Sequence, residues 1–124
     1  MGMRNLNENP EHLTVRTVLA TRVADRLDDG AVLTYVHRDY CGMGLAKDED
    51  TYVYASVWDG YPPTIADIRT EPKGLKFASR DKFIDWLASQ SDESLAGLEL
   101  EKEFFHNNQR ITLERLQDFA EASL

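Results

Sequence analysis

The residues closest to forming a reactive pair are a thiol and an imidazole near the middle of the chain. Cys41 follows His37 by four positions and lies in the segment YCGMG, residues 40–44. A thiol beside an imidazole can form a nucleophilic thiolate, but catalysis also needs a positioned base and donors for an oxyanion. The spacing establishes neither. We therefore predict no catalytic residue and expect Cys41 to be a partly buried thiol in a loop with glycine-dependent backbone geometry.

No metal or cofactor site is predicted. The single cysteine excludes paired-cysteine zinc sites, and the three histidines lie far apart in the sequence. Residues 42–44 lack the spaced glycines and the Lys-Ser/Thr pair of a phosphate-binding loop. The acids at 48–50 lack the alternating ligands and the glycine of a calcium loop. A solvated acidic loop is the better interpretation of that run.

The charge balance indicates what kind of partner the chain would bind. The net charge is −8, from 22 acids and 14 bases, and residues 39–71 hold seven acids against two bases, which gives −5 for that segment. Nucleic-acid binding draws most of its affinity from clustered Lys and Arg, so direct nucleic-acid binding is disfavoured. A basic protein is the natural complement, although an acid surplus can also serve only solubility.

Aromatic residues next to these acids suggest a binding surface. Tyr52, Tyr54 and Trp58 share one face of a predicted strand, and Tyr and Trp supply much of the energy of protein interfaces. The same face could instead pack on helices, and both interpretations stay open. The opposite face offers a smaller apolar surface for the core, formed by Val53, Ala55 and Val57. The predicted partner-binding residues are Asp48, Glu49, Asp50, Tyr54, Trp58, Asp59 and Tyr61.

Helical and strand periodicities define the elements that would position these residues. A helix is predicted over about 10–28, capped at Asn9-Pro10 and stopped by Gly30. Strands are predicted at 31–38 and 51–59, paired antiparallel and joined by a long loop at 39–50. Shorter strands are predicted near 64–69 and 74–78.

The C-terminal half of the sequence is predominantly helical in pattern. Ser79 is predicted to cap a helix that ends near Gln90, and Ser91-Asp92 to begin a short helix or turn. Residues 99–105 fit a helix or a strand, with a helix preferred. Thr112 is predicted to cap the last helix. We therefore expect one α+β domain over 1–124, with a small, mainly antiparallel sheet packed with helices and a flexible segment at 1–8.

Hydrophobic patterning predicts no membrane segment. The longest aliphatic stretches contain three residues, far fewer than the roughly 20 needed to cross a bilayer or the 7–15 or so of a signal-peptide core. We expect a cytoplasmic protein.

A family resemblance suggests a function. The segments FASRDKFIDWLASQSDESLAGLE (77–99) and NNQRITLERLQDF (107–119) resemble the C-terminal half of small bacterial immunity proteins of contact-dependent and other polymorphic toxin systems. The resemblance covers about a third of the chain and consists mainly of helix caps and core positions. It implies a non-enzymatic cytoplasmic protein that binds and blocks a toxin domain, often a nuclease. Two alternatives stay open: a small enzyme or ligand-binding protein that uses the Cys41 loop, and an adaptor subunit of a housekeeping complex.

Overall fold

A four-stranded antiparallel sheet with helices packed on it forms the described part of the chain. The computed structural model describes residues 13–36, 42–57, 74–97 and 111–122. The strands are β1 (Leu33–Val36), β2 (Gly42–Asp48), β3 (Thr51–Val57) and β4 (Leu75–Phe77). The helices are α1 (Arg16–Asp28), α2 (Arg80–Ala88), α3 (Asp92–Gly97) and α4 (Leu113–Glu121). The predicted α+β class is confirmed.

Helix α1 begins later than predicted. Residues 13–15 are not helical, because Thr14 forms an antiparallel bridge with Ser91 and the Val15 N–H donates to the Gln90 carbonyl at 2.8 Å. The proposed cap at Asn9-Pro10 lies outside the described residues. A backbone partner in a distant segment thus replaces the expected first turns of the helix.

Gly30 ends α1 as predicted. Its φ is +93°, the left-handed conformation that glycine adopts without strain. The N–H of Gly30 donates to the Leu27 carbonyl at 3.0 Å, and that of Ala31 to the Arg26 carbonyl at 3.1 Å. These two bonds form a Schellman motif, which satisfies carbonyls that the helix end would otherwise leave unpaired.

The sheet order corrects the predicted topology. The strands follow one another in space as β1-β2-β3-β4, all antiparallel. The expected loop at 39–50 is wrong, since residues 42–48 form β2, and β1 and β3 are therefore not neighbours. Glycines at 42 and 44 weaken the hydrophobic alternation of this strand, which is why the sequence pattern suggested a loop. The predicted strand near 74–78 is confirmed as β4, whereas the one near 64–69 lies outside the described residues.

Both faces of β3 are buried. Tyr52 and Tyr54 face the helices, and the Tyr52 ring stacks on Phe83 with centroids 4.8 Å apart. Val53 and Ala55 belong to a second, smaller apolar cluster, which also contains Ala46 and partly buried Val32. The bulky side chains face the helices because a layer packed on a sheet stands about 10 Å away and needs large groups to fill the space.

The C-terminal helices begin where their predicted caps lie. Ser79 Oγ accepts from the Lys82 N–H at 3.3 Å, and Thr112 Oγ1 accepts from the Arg115 N–H at 3.3 Å. The short helix predicted after Ser91 is confirmed as α3, with Leu95 buried in the core. Residues 99–105 lie outside the described residues. Within the described segments, no helix has both the length and the apolar character required to cross a bilayer.

Candidate functional site

The C-terminal end of α1 meets the hairpin between β2 and β3 through a set of polar contacts. The Tyr52 hydroxyl donates to Asp28 Oδ1 at 2.5 Å, and Lys47 Nζ lies 3.1 Å from the same oxygen. The Lys47 ammonium also lies 5.4 Å from the centroid of the Tyr52 ring. Lys47 and Tyr52 are cross-strand partners in the register of β2 and β3, so the hairpin presents both groups to one carboxylate.

Arg80, the first residue of α2, completes this network. One guanidinium nitrogen donates to Asp28 Oδ2, and the other donates to Asp25 Oδ1 at 2.6 Å. Asp25 and Asp28 are three positions apart in α1, a spacing that places both carboxylates on one side of the helix. Both oxygens of Asp28 are therefore engaged, one by the hairpin and the other by α2.

We call the end of α1 and the adjoining β2–β3 turn the acidic end; it comprises the carboxylates of Asp25, Asp28, Asp29, Asp48, Glu49 and Asp50, with the Lys47 and Arg80 cations that contact Asp28. Six carboxylates against two cations leave a formal charge of −4. The acids Asp29, Glu49 and Asp50 are exposed, and no ion pair engages them within the described segments. A cleft of about 450 Å³ opens on this surface, lined by Asp28, Lys47, Asp50, Tyr52, Ala78 and Arg80.

The ionisation of this network follows from its contacts. Partial burial raises the pKa of Asp28. Hydrogen bonds from Tyr52 and Lys47 and the charges of Lys47 and Arg80 lower it, and because their combined effect is larger the pKa lies below its ordinary value. The Asp28 hydrogen bond raises the pKa of Lys47. Burial and the bond to Asp28 raise the pKa of Tyr52. At neutral pH the network therefore holds an ionised carboxylate, an ammonium and a neutral phenol.

This arrangement is suited to electrostatic binding rather than proton transfer. A general base needs a pKa near the working pH and a free lone pair aimed at its substrate. The Asp28 carboxylate has a lowered pKa and accepts from three donors, on Tyr52, Lys47 and Arg80. The Tyr52 hydroxyl proton is used in its hydrogen bond to Asp28. What remains available to a partner is the exposed negative charge of Asp29, Glu49 and Asp50.

The structure brings three of the predicted site residues together. Asp48 ends β2, and Glu49 and Asp50 form the two-residue turn to β3. Glu49 has a φ of +55°, an uncommon conformation for a residue with a side chain. The predicted acidic loop is thus a tight hairpin turn, and among its carboxylates Asp50 lines the cleft beside Asp28.

The prediction that Tyr54 belongs to a binding surface is wrong. Its side chain is 1% exposed and packs against Trp86, with ring centroids 5.4 Å apart. The sequence left open whether this face of the strand binds a partner or packs on helices, and the structure shows that it packs on helices. Because apolar groups cover both faces of β3, Tyr54 is a core residue and is unavailable to a partner.

The other predicted residues lie outside the described part of the chain. These are Trp58, Asp59 and Tyr61 of the predicted binding surface, and His37 and Cys41, which were considered as a catalytic pair. In the described segments, no three His, Cys, Asp or Glu side chains are grouped so that they could share a metal ion.

Sequence reasoning missed Asp25, Lys47 and Arg80 as members of the acidic end. The spacing of Asp25, Asp28 and Asp29 by three and four positions was an available signal, because it places three acids on one helix face. No local pattern marks Arg80 as their partner, 52 positions from Asp28.

Comparison with known proteins finds no relative of this chain. No family model matches the chain, and neither a curated protein nor a solved structure is significantly similar to it.

Proposed function

We propose that this protein is an immunity protein that binds a cognate toxin domain, a cationic nuclease, and neutralises it by docking on the acidic end. The observation that supports the proposal best is the contact through Asp28 between the end of α1 and the β2–β3 hairpin, two segments that carry six carboxylates between them. A nuclease that binds phosphate carries clustered Lys and Arg, and an acidic surface complements such a cluster.

The internal ion pairs support this role because they fix the geometry of the surface. Lys47 and Arg80 hold the Asp28 carboxylate between the hairpin and two helices. A preorganised surface loses less side-chain entropy on binding than a flexible one. Within the described segments no ion pair engages the exposed acids Asp29, Glu49 and Asp50, and their negative charge can attract a cationic partner. In this proposal the protein acts in the cytoplasm, where it blocks the toxin without catalysing a reaction.

The partner can be sought in the neighbouring genes. An immunity protein of this kind is expected beside a gene for a large secreted protein with a variable C-terminal domain. Expression of that domain alone should arrest growth, and co-expression of this chain should restore it. Absence of complex formation with the purified domain would reject the proposal, and a neighbouring housekeeping operon would favour the adaptor alternative.

Association kinetics test whether the acidic end is the docking surface. The triple variant Asp29→Asn, Glu49→Gln, Asp50→Asn removes three exposed charges without touching the ion pairs of Asp28. Its association rate with the toxin domain should fall about tenfold at low salt, because clustered charge steers diffusional encounter. The rate should also depend less on salt concentration than that of the wild type.

A matched variant controls for net charge. Asp85→Asn, Glu114→Gln, Asp118→Asn also removes three exposed acids, on α2 and α4. Its association rate should stay within about twofold of the wild type, because none of these acids belongs to the β2–β3 turn or lines the cleft beside Asp28. Equal losses in the two variants would show that net charge matters and that the acidic end is not the docking surface.

A further inference from the structure

A groove between α1 and α4 has properties opposite to those of the acidic end. It encloses about 320 Å³, and its apolar wall includes Val18 and Leu19 of α1 and Leu113 of α4. Val18 is 68% exposed, whereas the other large aliphatic residues described on α1 are buried or half-buried. A single exposed aliphatic residue is ordinary on a protein surface, but Val18 continues the apolar wall of a groove that charged residues also line, and apolar surface rimmed by polar groups is typical of interaction sites.

Two arginines flank this apolar wall. Arg16 and Arg22 both line the groove and are exposed, and neither forms an ion pair with any residue in the described segments. Within the described segments these two exposed cations therefore have no ion-paired carboxylate, although the chain has 22 acids and 14 bases. Among the described residues that line the groove, Glu121 is the single carboxylate, and together with the two arginines it gives a formal charge of +1.

We propose that the groove binds an amphipathic acidic helix of a partner protein. The apolar stripe of such a helix would cover Val18 and Leu19, and its flanking carboxylates would pair with Arg16 and Arg22. Helices commonly dock in this way, with apolar anchors three and four positions apart set in a groove between two other helices. A second copy of this chain is the alternative occupant, and the concentration dependence of the groove signals tests it. This inference is independent of the function proposed for the acidic end.

The test uses two synthetic peptides and the ¹⁵N-labelled full chain. One peptide contains Leu at alternating three- and four-residue spacings with Glu elsewhere, and the other has Lys in place of each Glu. The Glu peptide should shift the backbone amide signals of residues 16–22 and 113–121 and leave those of 47–50 unchanged. Shifts confined to other residues, or no shifts up to the solubility limit of the peptide, would overturn the proposal.

The peptides also separate this inference from the proposed function. The Lys peptide should leave the signals of residues 16–22 unchanged, and shifts at 25–29 and 47–50 would report its binding to the acidic end. Failure of the Lys peptide to bind would count against the acidic end and not against the groove proposal. Equal shifts of the groove signals by both peptides would contradict the groove proposal, because apolar contact alone would then account for binding.

Paired variants identify the arginines as the source of selectivity. Arg16→Asn with Arg22→Gln should weaken binding of the Glu peptide about tenfold, equivalent to about 1.4 kcal/mol. Asn is chosen at position 16 because the φ of Arg16 is +69° and Asn tolerates that conformation. The control Lys76→Gln with Lys82→Gln removes the same charge at exposed positions outside the groove, and its affinity should stay within about twofold. Equal weakening in both pairs would overturn the proposal.

Val18 provides a test of the apolar contact and of self-association through the groove. Val18→Ser should weaken binding of the Glu peptide without lowering the thermal midpoint, because Val18 is already exposed. Concentration-dependent shifts of the groove signals in the absence of peptide, lost in Val18→Ser, would show that the groove joins two copies of the chain. That result would reject the acidic helix as its occupant.

Discussion

The Tyr52 hydroxyl donates a 2.5 Å hydrogen bond to the Asp28 carboxylate, and this bond ties the buried face of the sheet to the last turn of α1. The ring of Tyr52 is part of the core, stacked on Phe83, while its hydroxyl emerges at the acidic end. A core aromatic thus positions a surface carboxylate. Stability of the fold and geometry of the candidate binding surface are therefore coupled through Asp28.

Replacing Asp28 should destabilise the fold more than replacing its neighbour. Asp28→Ala leaves the Tyr52 hydroxyl without its acceptor and separates two cations from their carboxylate, so we expect a loss of about 1–2 kcal/mol in the free energy of unfolding. Asp29→Ala removes an exposed acid without an ion pair in the described residues and should change stability by less than about 0.5 kcal/mol. Urea unfolding of both variants at pH 7 measures the difference. Equal effects would mean that the Asp28 contacts add no net stability.

The contribution of Asp28 should disappear in acid. Its pKa is lowered in the folded protein, so the folded state favours the ionised carboxylate. The resulting stability is present above the unfolded pKa of about 3.9 and is lost as the pH falls through the lower folded value. The free energies of unfolding of wild type and Asp28→Asn should differ by a constant amount from pH 6 down to about pH 4. Between about pH 4 and pH 2 that difference should become smaller. A difference that widens on acidification would contradict the assigned contacts.

Truncating Tyr54 should damage folding rather than binding. Its side chain is 1% exposed and contacts Trp86, so Tyr54→Ala should leave a cavity and lower the free energy of unfolding by about 3–5 kcal/mol. The exposed Val18 provides the comparison, since Val18→Ala should change stability by less than about 0.5 kcal/mol. The denaturant midpoints of Tyr54→Ala and Val18→Ala measure this difference in stability. A stable Tyr54→Ala protein with weakened partner binding would restore the interface interpretation.

Glycine at position 49 should stabilise the β2–β3 hairpin. Glu49 has a φ of +55°, which glycine adopts at lower free energy, so Glu49→Gly should raise the free energy of unfolding by up to about 1 kcal/mol. Asp50 has no positive φ, and Asp50→Gly should instead lower stability through the larger entropy of the unfolded chain. Glu49→Gln separates the effect of charge from that of the backbone. Thermal midpoints that fall in Glu49→Gly would show that the turn is not strained.

The sequence alone was sufficient for the features that depend on neighbouring residues. Ser79 and Thr112 were recognised as helix caps because a cap and its N–H partner lie within three positions. Gly30 was recognised as a helix stop for a similar reason, since only the local backbone requires its positive φ. The acidic character of the 48–50 run was also evident, because charge is a property of composition and needs no fold.

Features that depend on distant residues were decided by the tertiary structure. The β2 strand was missed because its pairing with two other strands, rather than its own glycine-rich pattern, makes it a strand. Tyr54 was misplaced because alternation shows that a strand has two faces but not whether other elements cover both. Asp28 acquires its role only through Tyr52 and Arg80, which lie 24 and 52 positions away. Contacts over such distances depend on how helices and sheet pack together, and that packing is set by the shape of the whole core.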